Sequence, residues 1–330
     1  VLAARTAKKG LGFRDYLIAF LPRYAARGAQ FSHLMNLRDK IPGVAKLTEM
    51  VLGLTAKRPL PKWRRDVFDP PAMSMGPADG REVVLFADTF NRYFESENLV
   101  SAHSVLLNAG YRVDVPQPLK GETRPLCCGR TFLSAGLVNE ARAELTRTVK
   151  ALLPYAKRGV PIVGLEPSCL FTFRDELQSL LPGEDAKTIA AQAMLFEEFV
   201  AKEIDAKRFN LELAPIGEKA LLHGHCHQKS FAVMGPVQKV LKHMGLSVEL
   251  IESSCCGMAG SLGYQAETID VSLKMAEISL LPAVRKAGDD TYIVADGTSC
   301  RSQIKDNTNR KAEHVASLLG KAMMMAHPQR

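Results

Sequence analysis

The chain has 330 residues, of which 46% are hydrophobic and 24% charged, a balance that excludes intrinsic disorder and allows two domains with real cores. Its net charge of +8 permits weak attraction to acidic surfaces, but one Trp and no interleaving of arginines with aromatics speak against a nucleic-acid binder. No apolar run approaches the roughly 20 residues needed to span a bilayer, and no secretory signal opens the chain, so a cytoplasmic protein is expected, compatible with peripheral attachment at the inner membrane.

In chain order, Val1 in place of an initiating Met reads as a processed piece or the tail of something longer. Phe13, Leu17, Phe20, Leu21 and Tyr24 recur at helical spacing and predict an amphipathic helix within 11–35. Prolines 42, 59, 61, 70, 71 and 77 then predict an extended linker, interrupted by one short helix near 44–54. Lys57, Arg58, Lys62, Arg64 and Arg65 crowd this linker and are expected to be solvated or to face a partner. Residues 1–80 therefore read as a helical and proline-rich arm.

Two α/β units are expected to follow, one over 81–213 and one over 214–330. In each, an apolar strand (83–87; 220–223) precedes a helix that ends at Gly and enters a second strand (104–113; 239–248). A Cys-Cys-Gly triplet follows, at Cys127-Cys128-Gly129 and Cys255-Cys256-Gly257, and then a strand leading to a Ser-Cys turn at Cys169 and Cys300. Strands alternating with helices imply parallel, Rossmann-like units related by a pseudo-twofold axis, with sites at the carboxyl ends of the strands.

Seven cysteines in a reducing compartment are better read as thiols or metal ligands than as disulfides. Cys226, Cys255, Cys256 and Cys300 arrive from three loops of the second unit. Four thiolates suit a [4Fe–4S] cluster or a tetrahedral zinc, and vicinal cysteines, whose side chains diverge, suit separate irons better than two corners of one zinc. Gly257 lets the backbone turn close to such a core. The first unit offers Cys127, Cys128 and Cys169, with Ala87-Asp88-Thr89 where the second has Cys226. These thiols, with Asp88, are either a second metal site or a degenerate copy kept for packing. His223, His225 and His227 alternate about Cys226, so on an extended strand they would share one face; roles beside the metal are assigned to His223 and His227. Nucleotide, flavin and hydrolase motifs are missing, and no catalytic residue is assigned.

The phrases His223-x-x-Cys226-His227 and Cys255-Cys256-Gly257-Met258-Ala259-Gly260-Ser261-Leu262-Gly263 resemble those of the cysteine-rich Cys-Cys-Gly (CCG) domain. That domain occurs in heterodisulfide reductase B-type subunits, glycolate oxidase iron–sulfur subunits and the anaerobic glycerol-3-phosphate dehydrogenase small subunit. The resemblance covers about residues 81 to 306. Phe13-Arg14-Asp15-Tyr16-Leu17, Arg58-Pro59-Leu60-Pro61-Lys62-Trp63 and Ala87-Asp88-Thr89-Phe90 look like the carboxyl-terminal third of large FAD-linked D-lactate and D-2-hydroxyglutarate dehydrogenases. Two departures stand out: Cys300 is alone where much of the family has C-x-x-C, Gly297 and Gln303 offering no thiol, and the first unit lacks its leading cysteine.

The resemblance implies an oxidoreductase component: an iron–sulfur electron-transfer module that passes electrons from flavin to an acceptor. One four-cysteine [4Fe–4S] site is expected in place of a five-cysteine non-cubane cluster. FAD is expected on a separate domain or chain, and the partners are that flavin domain, a ferredoxin-like domain and a quinone, cytochrome or protein acceptor. The chain alone is not expected to be catalytic, and self-association is left open. A zinc-binding or metal-free docking domain, and a thiol–disulfide reductase acting through Cys255-Cys256, are the rival readings.

Overall fold

Val83, Val84 and Leu85 are all fully buried, without the polar alternation of a one-sided strand, because parallel strands are covered by helices on both faces. The computed structural model describes residues 1–253 and 255–327. It contains two four-stranded parallel sheets. The first unit comprises β1 (Glu82–Phe86), α1 (Thr89–Tyr93), α2 (Ser96–Asn108), β2 (Arg112–Asp114), α3 (Val138–Lys157), β3 (Ile162–Gly164), α4 (Pro167–Arg174), β4 (Ala193–Leu195) and α5 (Phe196–Asp205). The second comprises β5 (Lys219–Leu222), α6 (Cys226–Ser230), α7 (Met234–His243), β6 (Ser247–Leu250), α8 (Ile269–Glu277), α9 (Leu280–Lys286), β7 (Thr291–Val294), α10 (Thr298–Asn307), β8 (Ala312–Glu313) and α11 (Val315–Ala326).

The strand orders are β2-β1-β3-β4 and β6-β5-β7-β8, the same path traced twice. The packing repeats as well: α2 lies on α11, and α5 on α7. Since α2 corresponds to α7 and α5 to α11, these are one contact seen from the two sides of a pseudo-twofold axis. A single apolar cluster runs through this helix layer, from Leu99 and Phe199 of the first unit to Val240 and Leu319 of the second.

Strands β4 and β8 escape the sequence pattern, being three and two residues long beside strongly helical neighbours. The expected arm helix divides into Phe13–Ala19, Leu21–Gln30 and Ser32–Met35, and the short linker helix spans Val44–Leu52, ending at Gly53 with φ 67°. Trp63 packs into the arm against Gly28, where any Cβ would stand 2.4 Å from the indole.

The arm is not a loose linker. It is pinned to the first unit by Thr6 Oγ1 donating to Ala135 O (3.0 Å) and Thr131 Oγ1 to Ala19 O (2.8 Å), and to the second by Arg14–Glu267 (2.7 Å) and Thr55 N–H to Tyr264 O (2.9 Å). The expectation of a solvated basic segment holds for Lys57, Lys62 and Arg65, which are exposed, and fails for Arg58, which is 2% exposed. Among the described residues, no helix is long and apolar enough to cross a membrane.

Candidate metal centre

Both Cys-Cys-Gly triplets adopt the same loop. Gly129 (φ 77°) and Gly257 (φ 80°) occupy the left-handed region that glycine enters without a Cβ penalty. Each donates its N–H to the Sγ two residues back, Gly129 to Cys127 and Gly257 to Cys255, both at 3.3 Å. Close approach demands glycine too: a Cβ would lie 2.9 Å from Ala141 O in the first loop and 2.2 Å from Ser272 O in the second.

Cys226 opens α6 after β5, Cys255 and Cys256 follow β6, and Cys300 is the third residue of α10 after β7. Parallel strands put these three loops on one edge. The thiols meet there as a row of interacting neighbours, Cys226 with Cys255, Cys255 with Cys256 and Cys256 with Cys300. Cys256 and Cys300 are buried, whereas Cys226 and Cys255 are half-buried at the open end. In the first unit Cys127, Cys128 and Cys169 form the matching, shorter row, all buried. Cys169 is the third residue of α4, the place Cys300 has in α10.

The histidines depart from the expected alternation, because the chain turns helical at Cys226. His225 is the N-cap of α6; its Nδ1 accepts from His227 N–H (3.2 Å) while its own N–H donates to Gln228 Oε1 (3.0 Å). Its counterpart is Asp88, the N-cap of α1, so Thr89 stands where the second unit has Cys226. Asp88 is taken up by that cap: it accepts from the N–H groups of Phe90 and Asn91 (2.9 and 3.0 Å) and from Asn91 Nδ2 (2.7 Å). Burial and Glu166 push its carboxyl up to about 7.

His223 lies against the thiols. One of its ring nitrogens and the sulfurs of Cys256 and Cys300 all fall within 4.8 Å of one another. Its Nδ1 meets Ser253 Oγ at 2.9 Å, its Nε2 is buried with no partner among the described residues, and burial holds the ring neutral, its pKa lowered to about 3. His227 instead turns its Nε2 to Arg130, which is paired with Glu176, and stacks on His225.

The seam between the units is polar and buried. Glu166 Oε1 accepts from Ser168 N–H and Oγ (3.3 and 2.7 Å), and its Oε2 accepts from Thr298 N–H (2.9 Å). One carboxylate thereby caps α4 and α10, the helices that carry Cys169 and Cys300. Arg301 clamps Glu95 with two contacts of 2.9 and 2.6 Å. Glu197, Asp296 and His314 also bring donor atoms within 4.8 Å of one another; backbone groups already use two of the three, Asp296 Oδ1 accepting from Val315 N–H (3.1 Å) and His314 bonding Leu165 O and Ala316 N–H (3.1 and 3.0 Å), while both Glu197 carboxyl oxygens are buried without a hydrogen-bond partner among the described residues. Burial and the neighbouring Asp296 push the Glu197 carboxyl up. None of Glu95, Glu166, Glu197 or Asp296 stands out in the sequence.

The donor chemistry fits a metal–sulfur group on the second unit. A single tetrahedral zinc with bonds of about 2.3 Å needs its donors about 4 Å apart. Among the described residues, the group that meets a 4.8 Å limit here is His223, Cys256 and Cys300, with Cys255 and Cys226 next along the row of thiols.

Residues 221–305 match the family model described as cysteine-rich domain, CCG. The chain is 23% identical to a subunit of the anaerobic glycerol-3-phosphate dehydrogenase of Escherichia coli, over 94% of this chain and 77% of that protein. It is 29% identical to D-2-hydroxyglutarate dehydrogenase of Pseudomonas putida over 91% of this chain and 29% of that protein, and 24% identical to lactate utilization protein A of Bacillus velezensis over 71% and 94%. The chain thus spans about three-tenths of the length of such a D-2-hydroxyglutarate dehydrogenase but most of the other two. Residues 221–305 thus match the cysteine-rich CCG domain, within a chain that is similar to dehydrogenase components over nearly its whole length.

Proposed function

We propose that the chain is an iron–sulfur electron-transfer module of a flavin-linked D-2-hydroxyacid dehydrogenase, with one [4Fe–4S] cluster held by Cys226, Cys255, Cys256 and Cys300. The observation that carries this reading is the row of four neighbouring thiols, drawn from three loops to one sheet edge. A cluster bound there supplies one-electron steps between a flavin and an acceptor. The chain's own residues do the rest. Gly257 offers its N–H to sulfur, His223 stays neutral beside Cys256 and Cys300, and the half-buried Cys226 and Cys255 mark the side open to a redox partner. The similarity to dehydrogenase subunits supports a flavin domain, a ferredoxin-like domain and a separate acceptor as partners.

The test is anaerobic reconstitution with iron and sulfide analysis and optical and EPR spectra. About four irons and four sulfides per chain, with an absorption band at about 400 nm lost in Cys256→Ser and Cys226→Ser, are expected. Absence of iron and sulfide overturns the reading. Further bound metal that disappears in Cys169→Ser and survives in Cys300→Ser would assign Cys127, Cys128 and Cys169 to a second site. The close triad of His223, Cys256 and Cys300 favours zinc as the second reading, in which one zinc per chain is bound and lost in His223→Ala.

A further inference from the structure

Beneath the second cysteine loop lies a charge that has no counterpart in the first unit. Arg58 arrives from the arm and is buried to 2% exposure. Its guanidinium donates to Gln303 Oε1 and touches Met258 Sδ, its Nε lies 3.5 Å from Asp306 Oδ2, and its face covers the Tyr264 ring at 5.8 Å. Gln303 then turns its Nε2 to the carbonyls of Cys256 (2.8 Å) and Ser272 (3.2 Å). Arg58, Gln303 and the Cys256 carbonyl thus form one hydrogen-bonded chain. Arg38 ties down the base of Arg58 by donating Nη1 to its carbonyl at 3.4 Å.

The first loop is held differently. Thr148 Oγ1 accepts from Cys127 N–H (3.2 Å) and donates to Cys127 O (2.8 Å), a neutral clamp. The cation lies under the unit with the complete thiol set, close enough to Cys256 for mutual electrostatic attraction. A guanidinium withdrawn from water costs several kcal/mol unless anions surround it. Asp306, 3.5 Å away and itself largely buried, is one such anion; a thiolate-bound centre at Cys256 is the other.

We infer that Arg58 is a positioning residue of the proposed iron–sulfur centre, holding the 255–258 loop through Gln303 and offsetting the negative charge that reduction adds beside Cys256. This rests on the iron–sulfur reading above. No bond forms or breaks; one electron is delivered, in the test by dithionite, and the fixed charge of Arg58 raises the potential at which it is accepted.

The test is an EPR-monitored potentiometric titration of the anaerobically reconstituted full chain. Arg58→Gln should lower the midpoint so that, at the wild-type midpoint, the ratio of reduced to oxidised protein falls about tenfold, or about 59 mV for one electron. Arg58→Lys should recover most of that shift while losing iron faster to a chelator, since the charge returns without the planar fork. Asp306→Asn, which leaves the loop contacts in place, should move the midpoint the opposite way. If Arg58→Gln does not fold, Asp306→Asn carries the sign test and Arg58→Lys the chelator test. Iron-replete Arg58→Gln and Asp306→Asn variants whose midpoints equal that of the wild type overturn the role of Arg58 alone. A wild type that takes up no iron overturns the iron–sulfur reading first and this role with it.

Discussion

Glu166→Gln should weaken α4 and α10, which carry Cys169 and Cys300, at once. The substitution preserves volume but turns one carboxylate oxygen into an NH₂ group. Whichever way the amide faces, one of two backbone donors, Ser168 N–H or Thr298 N–H, loses its acceptor and confronts another donor. Losing an N-cap costs about 1 kcal/mol, and leaving a buried donor unmet adds about 2 kcal/mol, so roughly 3 kcal/mol is at stake. Unfolding a chain of this length has an entropy of roughly 0.7 kcal/mol/K, so Tm should fall by about 4 °C. Calorimetry of the metal-free chain reads this shift. Because α10 begins at Thr298 and carries Cys300, the reconstituted variant should also release iron to a chelator faster than the wild type. A Tm within about 1 °C of wild type would refute the double cap and the mechanical link it makes between the two units.

Gly257→Ala should cost more than Gly121→Ala, although both glycines have positive φ (80° and 91°), because the new Cβ meets Ser272 O at 2.2 Å in one case and nothing within 4 Å in the other. Tm and iron content of the two variants check this, with the larger losses at 257. Glu203 governs an acid-side dependence. Burial opposes its ionisation, but Arg208, Arg81 and Tyr111 hydrogen-bond the carboxylate and lower its pKa to about 2 from the ordinary 4.5. A depressed carboxyl stabilises the fold above its unfolded pKa and loses that contribution as pH falls through the folded one. Glu203→Gln should therefore destabilise by about 2 kcal/mol at pH 6, screening by the half-exposed arginines included, and by progressively less as pH falls from about 4.5 toward 2. Urea unfolding across that range would show the two curves converging, and parallel curves would refute the assignment.

The duplication is legible in the sequence because its markers are chemically distinctive: a Cys-Cys-Gly loop whose glycine cannot be replaced, and a Ser-Cys pair just inside a helix. Local features cannot show what lies beside them in space. Arg58 looks like its exposed neighbours Lys57 and Lys62, and only the arm's path under the second loop buries it. The strand-like alternation of His223, His225 and His227 failed because a helix begins at Cys226. The signal was present in Gln228, three residues after His225, as in a capping box, but histidine is an unusual first member. Glu166 and Glu95 act across the seam on Thr298 and Arg301, more than 130 residues away, where no periodicity reaches.

The apolar cluster common to both halves also bears on what counts as an independent piece. The CCG match, 221–305, stops short of β8 and α11 and contains none of the first-unit helices that cover α7. Excised on its own, that stretch would expose Val237, Val240 and Leu241 to water and should precipitate. What evolution can shuffle between enzymes as working cargo is the whole double repeat, so a half whose thiols had fallen silent would still be retained as ballast for the other.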